Sequence, residues 1–591
     1  MVSPRFGRYT LLAALCATAS PAILAAQTPP TREEIERGRI NPNDPRPRTR
    51  LSVEGGIERA PCPLADPRFA AINVTIADVQ FDGLKGLAPA DLRAAWAPYA
   101  GRSVPVSTVC EIRDSAATIL RQAGYLAAVQ VPPQRIEADG VVRFDVLMAK
   151  MVGIQVRGDA GRSEQLIAGY LEAIKDQDVF NIKDAERYLL LARDLPGYDV
   201  RLTLRPAGTV PGEVIGEVAV LHTPVEIDVN VQNYGSKDVG RFGGLARVQF
   251  NGLTGMGDST SVSVFSTSDF KEQQVLQLGH VFRVGREGLT FSGDFTYAWT
   301  KPDVGGPSPF RSETLSASAR ASYPIIRSQA RNLFGSIGFD YVDQQVRFGG
   351  LPITEDNLRV AFARIDFDSL DGNSIASTQG YSANEPRWRF GLSAEARQGL
   401  SVFGASKPCG TGFVRCNPPF TALSKVEADP TAFVARLSGY GEFRPLPNIA
   451  FSLAPRAQYA PKALLSYEEF SAGTYTVGRG FDPGTIIGDT GVGFAAEVKF
   501  GSLIPRRADA IAFQPFAFFD AAWVWNEDSQ FDGLDPQKLY SAGGGLRAAW
   551  GDHGRLDIVG AVPLNTAGFQ TKRGDVRLLA SITMKLLPWN R

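Results

Sequence analysis

Two textures of hydrophobic patterning divide the chain. Between residues 70 and 224, alternating stretches are interleaved with stretches whose apolar residues recur at helical spacing. The pattern predicts a strand over Ile72–Phe81 and a helix near Pro89–Tyr99. A longer helix from about Ser107 to Ala123 carries Val109, Ile112, Ala116, Ile119 and Ala123 on one face and is stopped by Gly124. Strands Tyr125–Val131 and Val141–Ala149 follow. The order then repeats: strand Val152–Arg157, helices Ser163–Ile174 and Ile182–Asp194, and strands Tyr198–Arg205 and Glu213–Leu221. Asn181 is placed to cap the second of these helices, and Pro196-Gly197 to end it. Each copy is a β-α-α-β-β unit with helices on one face of a small sheet, predicting domains at 61–150 and 151–224. Such a sheet has an edge that can take an extended peptide as an added strand. The plain alternative is a pair of generic α+β spacers.

From Val225 to Arg591 no helical period persists. Phe362-Ala363-Arg364-Ile365-Asp366-Phe367-Asp368 sets Ala363, Ile365 and Phe367 against Arg364, Asp366 and Asp368. Trp388, Phe390 and Leu392 oppose Arg387 and Arg389, and Phe433–Phe443 alternates with small residues on one side. Apolar residues on one face and charges on the other suit a membrane barrel with a wet interior better than an array of soluble sandwiches. At roughly 20–25 residues per strand and turn, the region gives about 16 antiparallel strands, an even number that closes without an edge.

The first residues change the compartment. Arg5 and Arg8, the apolar run from Leu11 and small residues up to Ala25-Ala26 read as a secretory leader at 1–26. Leu24 is not ideal before the cut, and Cys16 leaves with the leader. Residues 27–60 are polar and proline-rich. Thr31 and Glu34 frame a capping box for one short helix, Thr31–Arg37, and Asn41–Pro47 reads as a linker. A helix this short is marginal without a surface to dock on, so the expectation is a tail rather than a docking element.

Net charge is zero, with 62 basic and 62 acidic residues, so nothing global points to nucleic acid. The three histidines, His222, His280 and His553, lie far apart and away from the cysteines; no metal or other cofactor is expected. No phosphate-binding Gly-x-x-x-x-Gly-Lys and no Gly-x-Ser-x-Gly occurs, and the chain is read as a non-enzyme. Export favours pairing of the remaining cysteines, Cys409 with Cys416 around one loop and Cys62 with Cys110, against the alternative of free buried thiols.

One stretch organises the rest. Thr476-Val477-Gly478-Arg479-Gly480-Phe481-Asp482-Pro483-Gly484 holds an arginine out between two glycines. Its planar fork suits a carboxylate, and Asp520 is set into the aromatic strand Phe516-Ala517-Phe518-Phe519-Asp520. The pair either meets inside the barrel, fixing the loop there, or consists of a solvated turn arginine and a strand-ending acid.

Taken together, the chain resembles the two-partner-secretion outer-membrane transporters, the TpsB family of FhaC, ShlB and HecB within the BamA-like superfamily. The resemblance covers about residues 60 to 591. Gly478-Arg479-Gly480-Phe481 is similar to the family's Arg-Gly-Phe/Tyr motif on the sixth extracellular loop, and Phe518-Phe519-Asp520 to its Phe-x-Asp strand motif, whose acid pairs with that arginine. Pro61-Cys62-Pro63-Leu64 with Cys110 resembles the first cysteine pair, Gly124-Tyr125-Leu126 the turn after the second helix, and Gly252–Asp258 an early barrel hairpin. The resemblance implies two periplasmic POTRA domains followed by a 16-stranded barrel at 225–591. It further implies an outer-membrane location, a large secreted exoprotein as partner, and lipid and the barrel assembly machinery as further partners. Two features depart from the pattern. Thr31–Arg37 is shorter than the family's plug helix, and the last aromatic, Trp589, stands two residues in, so either the assembly signal tolerates this or the final strand stops near Leu587. The rival reading is a factor that inserts barrels into the membrane; a plain porin has no use for the two amino-terminal domains.

Overall fold

The computed structural model describes residues 30–36, 52–53 and 62–589, apart from short stretches at 138, 209, 211, 304–309, 376, 378, 506, 508, 530–532 and 569–571. The leader, Cys16 and the Asn41–Pro47 linker lie outside the described residues.

In the first domain, helix α2 (Thr108–Gln122) lays Val109, Ile112, Ala116 and Leu120 on a sheet of Asp78–Asp82, Val141–Met148 and Ala127–Gln130. Phe81 and Phe144 stack at 5.5 Å in this core. Gly124 leaves the helix at φ +99° and lets the chain turn back, and the hydroxyl of Tyr125 donates to the carbonyl of Gly86 at 2.9 Å. Three details differ from the pattern-based expectation. Ile72–Phe81 is broken at Ala77 into Asn73–Ile76 and Asp78–Asp82. The first piece pairs with Arg102–Pro105, a strand too short to carry its own signal. The helix near Pro89–Tyr99 is two 3-10 turns, Pro89–Ala95 and Ala97–Tyr99; Pro98 has no N–H to continue an α-helical ladder between them.

The second domain packs helices α3 (Glu164–Lys175) and α4 (Ile182–Arg193) on strands Lys150–Gly158, Tyr198–Pro206 and Glu213–His222. Ile167, Tyr170, Leu171, Phe180, Leu202 and Val218 fill its core. Asn181 caps α4 by accepting from the N–H of Lys183. The two domains share nearly continuous strand: only Ala149 separates Val141–Met148 from Lys150–Gly158. Its N–H donates to Leu126 of the first domain, and its carbonyl accepts from Phe180 of the second. On the opposite edge, Ser52–Val53 pair in parallel with Thr203–Leu204, adding a short strand to the sheet.

Sixteen antiparallel strands close into a barrel, sealed by Val225–Gln232 against Arg577–Leu587. The last strand ends at Leu587, the second of the two alternatives left open by the sequence. Ile337, Ile365, Trp388, Phe390 and Leu392 are exposed on the outer face, whereas Arg364 pairs with Asp366 within. Among the described residues no helix is long and apolar enough to cross a membrane; here the strands cross.

The second domain is docked under one mouth of the barrel. Arg327 grips the carboxylate of Asp194 with two contacts of 2.7 Å, and Arg283 donates to its carbonyl at 2.6 Å. Arg187 and Tyr188 reach the turn at Glu287, and Arg162 donates to the carbonyl of Leu253. Gly252–Asp258 is the turn between two early barrel strands, held by Asp258 accepting from the N–H groups of Leu253 and Thr254. At Gly257 (φ +58°) a side chain would meet Leu195 of the docked domain at 2.5 Å, so the close approach requires glycine.

Candidate functional site: the loop-filled lumen

The long connection between strands Ile449–Tyr459 and Thr490–Phe500 folds back into the barrel, braced by a small hairpin of Phe470–Ala472 and Ile486–Gly488. Gly478 (φ +120°) makes the sharp bend at its tip, where a Cβ would strike Leu539 at 2.6 Å. Gly480 lies so close to the wall that a Cβ would come within 2.8 Å of Ser541. Between them, Arg479 faces strand Ile511–Trp525. Its Nη2 and Nε donate to Asp520 at 2.6 and 3.0 Å, and its backbone N–H donates to the same carboxylate at 2.9 Å. Asp520 is fully buried. Phe518 lies two residues earlier on the same face, and the guanidinium sits 3.7 Å over its ring.

A second acid completes the seat. Glu497 accepts from Arg479 at 2.5 Å and from Arg547 at 2.9 and 2.8 Å, and Arg547 lies over Phe516 at 3.9 Å. Two arginines and two carboxylates therefore alternate along the wall, each guanidinium stacked on an aromatic. The tip has a further hold: Asp482 pairs with Arg577 at 2.9 Å and with Arg241 at 3.3 Å, and Phe481 is buried among Val477, Ala522 and Leu539. The structure thus brings together Gly478, Arg479, Gly480, Phe481, Phe518 and Asp520. Glu497 and Arg547 were not singled out from the sequence, although their charges stand on the lumen-facing side of alternating strands.

The root of the loop is anchored differently. Arg397, wholly buried, donates to Glu468 at 2.9 and 2.6 Å, to Glu395 at 2.9 Å and to Asp340 at 2.8 Å. Arg436 also reaches the Glu468 carboxylate at 2.9 Å.

The expectation of a tail at Thr31–Arg37 is overturned for its described part. Residues 30–36, with the single-turn helix α1 (Arg32–Ile35), lie inside the lumen. Thr31 and Glu34 form the anticipated capping box. Ile35 is buried among Phe265, Val275, Val342, Leu358 and Tyr467, and its carbonyl accepts from Gln277 at 2.8 Å. Glu33 pairs with Arg456 at 2.8 Å and accepts from Ser471 at 2.9 Å; Glu36 accepts from the hydroxyl of Tyr467 at 2.8 Å. The barrel supplies the surface that an isolated helix of this length lacks, which is why helix propensity alone misjudged it.

Both cysteine pairs are disulfides, Cys62–Cys110 and Cys409–Cys416. The first ties the start of the first domain to α2. The second closes a turn in the loop over residues 400–432, whose Lys425 reaches Glu469 at 2.9 Å and Asp489 at 3.1 Å. Among the described residues no cluster of His, Cys, Asp or Glu is arranged to hold a metal ion.

This architecture has counterparts. The haemolysin secretion/activation protein ShlB/FhaC/HecB family matches residues 218–548, more than half of the chain. The chain belongs to this family. The ShlB-type POTRA domain matches residues 74–148, so the first domain is a POTRA domain, and the barrel is an outer-membrane barrel with that domain on the periplasmic side. Among relatives, the heme/hemopexin transporter protein HuxB of Haemophilus influenzae (strain 86-028NP) is 27% identical over 180 residues, 29% of this chain and 30% of HuxB. The outer membrane transporter CdiB of Escherichia coli is 21% identical over 307 residues, 50% of each chain. The chain therefore matches between about a third and half of the length of these relatives. The fold is that of CdiB from Escherichia coli (TM-score 0.69, 16% identity, 90% of this chain and 94% of that one) and of CdiB from Acinetobacter baumannii (TM-score 0.60, 19% identity, 98% and 96%).

Proposed function

We propose that this ShlB/FhaC/HecB-family member moves one large exoprotein from the periplasm to the cell surface through its barrel. The observation that carries the reading is the lumen. What fills it is a loop and a separate N-terminal segment, each pinned to the wall by ion pairs and hydrogen bonds around a small apolar contact at Ile35 or Phe481. Such contacts exchange for water without unfolding the barrel, so the path can clear for an extended chain.

Recognition is assigned to the two amino-terminal domains. A sheet edge that takes Ser52–Val53 as an added strand supports this reading, since strand addition is the mode suited to a β-prone cargo. The Arg479–Asp520 contact fixes the resting position of the loop, and the loop shifts to let cargo pass. Lipid surrounds the barrel, and the cell's barrel assembly machinery inserts it.

The test is comparative proteomics of supernatant, cell surface and outer membrane with and without the gene. Loss of one large exported protein, with other barrels at normal levels, is the expected result. A broad fall in outer-membrane barrels would instead make the protein an assembly factor.

A further inference from the structure

Three consecutive residues at the root of the loop reach three different parts of the molecule. Tyr467 donates to Glu36 of the N-terminal segment at 2.8 Å and touches Ser316 of the wall at 3.0 Å. Glu468 is clasped by Arg397 and Arg436, which stand on strands Trp388–Gly399 and Phe433–Leu446. Glu469 pairs with Lys425 of the disulfide-bearing outer loop, and Lys425 pairs in turn with Asp489 at the loop's far end. Tyr467 and Glu468 are buried and Glu469 is partly so, and the N-terminal segment makes further side-chain pairings nearby, through Arg456 and Ser471. The tip, with Arg479, has a separate set of partners on strands Thr490–Phe500 and Ile511–Trp525.

We propose that Tyr467, Glu468 and Glu469 form a three-way latch at the root of the loop, independent of the contacts at its tip, that makes occupancy of the lumen by the N-terminal segment and the position of the loop depend on each other. The partners support separate tasks. At the tip Arg479 meets wall acids and Asp482 meets Arg577 and Arg241; at the root Glu468 meets a different pair of wall cations, Arg397 and Arg436. Breaking the tip contacts alone leaves the root clamped, and the segment with it. Removing the segment takes away one partner of Tyr467, leaving Ser316, and loosens its neighbour Glu468, because adjacent residues of one extended backbone cannot move far apart. The inference rests on the transport reading only in that the lumen opens; its test needs no cargo.

The test is conductance of the purified full-length protein in planar bilayers. Glu468→Gln removes the carboxylate charge at the root while leaving Arg397 with Glu395 and Asp340, and Arg436 with Gln458, so the barrel folds. The expected result is about a tenfold rise in the open-to-closed ratio, the scale of one lost charge-assisted contact. Tyr467→Phe, which deletes one hydroxyl, raises it less. In a chain lacking residues 27–50, Tyr467→Phe has a smaller effect, since its contact with Glu36 is already gone and the one with Ser316 remains to lose, while Glu468→Gln still adds to the opening. A Glu468→Gln protein that gates like the parent, while the shortened chain conducts more, would overturn the latch and leave a segment-filled lumen standing. Equal effects of Tyr467→Phe in the full and shortened chains would overturn the coupling, even if the Glu468 variant failed to fold. None of these outcomes alters the proteomic test of transport.

Discussion

The second amino-terminal domain and the barrel lumen are both closed interiors, built from opposite materials. In the domain, Ile167, Tyr170, Leu171, Phe180, Leu202 and Val218 are hidden together, and the force between them is non-directional apolar burial. In the lumen the hidden residues include Arg397, Glu395, Glu442, Arg444, Glu468 and Asp520, whose attraction depends on geometry and competes with water. The apolar core is lost all at once or not at all. The lumen can release one contact at a time while its wall persists, because the wall is held by a closed backbone ladder rather than by its contents. The difference separates scaffold from moving part.

Variants test that separation. Phe144→Ala in the first domain removes a stacked, fully buried ring and costs about 3–5 kcal/mol. The expected outcome is protease cleavage confined to the amino-terminal domains while the barrel still shifts on gels with heating. Loss of the barrel as well would break the comparison. Asp520→Ala leaves Arg479 with Glu497 alone, a penalty of about 3 kcal/mol at the low end for a broken buried pair, since the lumen is wet. Hydrogen exchange over residues 474–488 should rise and secretion fall, with the barrel inserted. Arg479→Ala acts in the same direction, and full secretion by it would count against the loop seat.

Replacing Cys409 and Cys416 by serine removes a clip across seven residues, worth about 2–3 kcal/mol locally. Non-reducing peptide mapping should find the native pair linked, and the variant should loosen the outer loop without altering the tip. Alkylation of both native thiols without reductant would remove the bridge altogether. Asp194→Ala has the smallest expected effect, about 1–3 kcal/mol, lost between Arg327 and the docked domain. Spin labels on the second domain and on the barrel rim should then show a broader distance distribution, with both bodies intact.

How far the sequence revealed this architecture follows from the same contrast. The domains were legible because helical and alternating periods are local, as with the apolar face of α2 and the cap at Asn181. Arg479 and Asp520 were legible because glycines flank one and aromatics the other. The root cluster was not, since Asp340, Glu395, Arg397 and Glu468 come from two strands and a loop, and only barrel closure joins them. A run of charges on the lumen side, with the Glu468-Glu469 doublet in the loop, was the available signal. The seat of residues 30–36 was hidden for the opposite reason: four helical residues carry almost no propensity, and their partners lie more than 200 positions downstream.

One residue sets how the amino-terminal half transmits force. Ala149 is all that separates two strands of neighbouring domains, and its amide and carbonyl are bonded one to each side. A joint with no spare residue, its backbone groups bonded to both sides, leaves the two domains little independent freedom. The orientation of the first domain is thereby tied to that of the second, and through Asp194 and Arg327 to the barrel mouth.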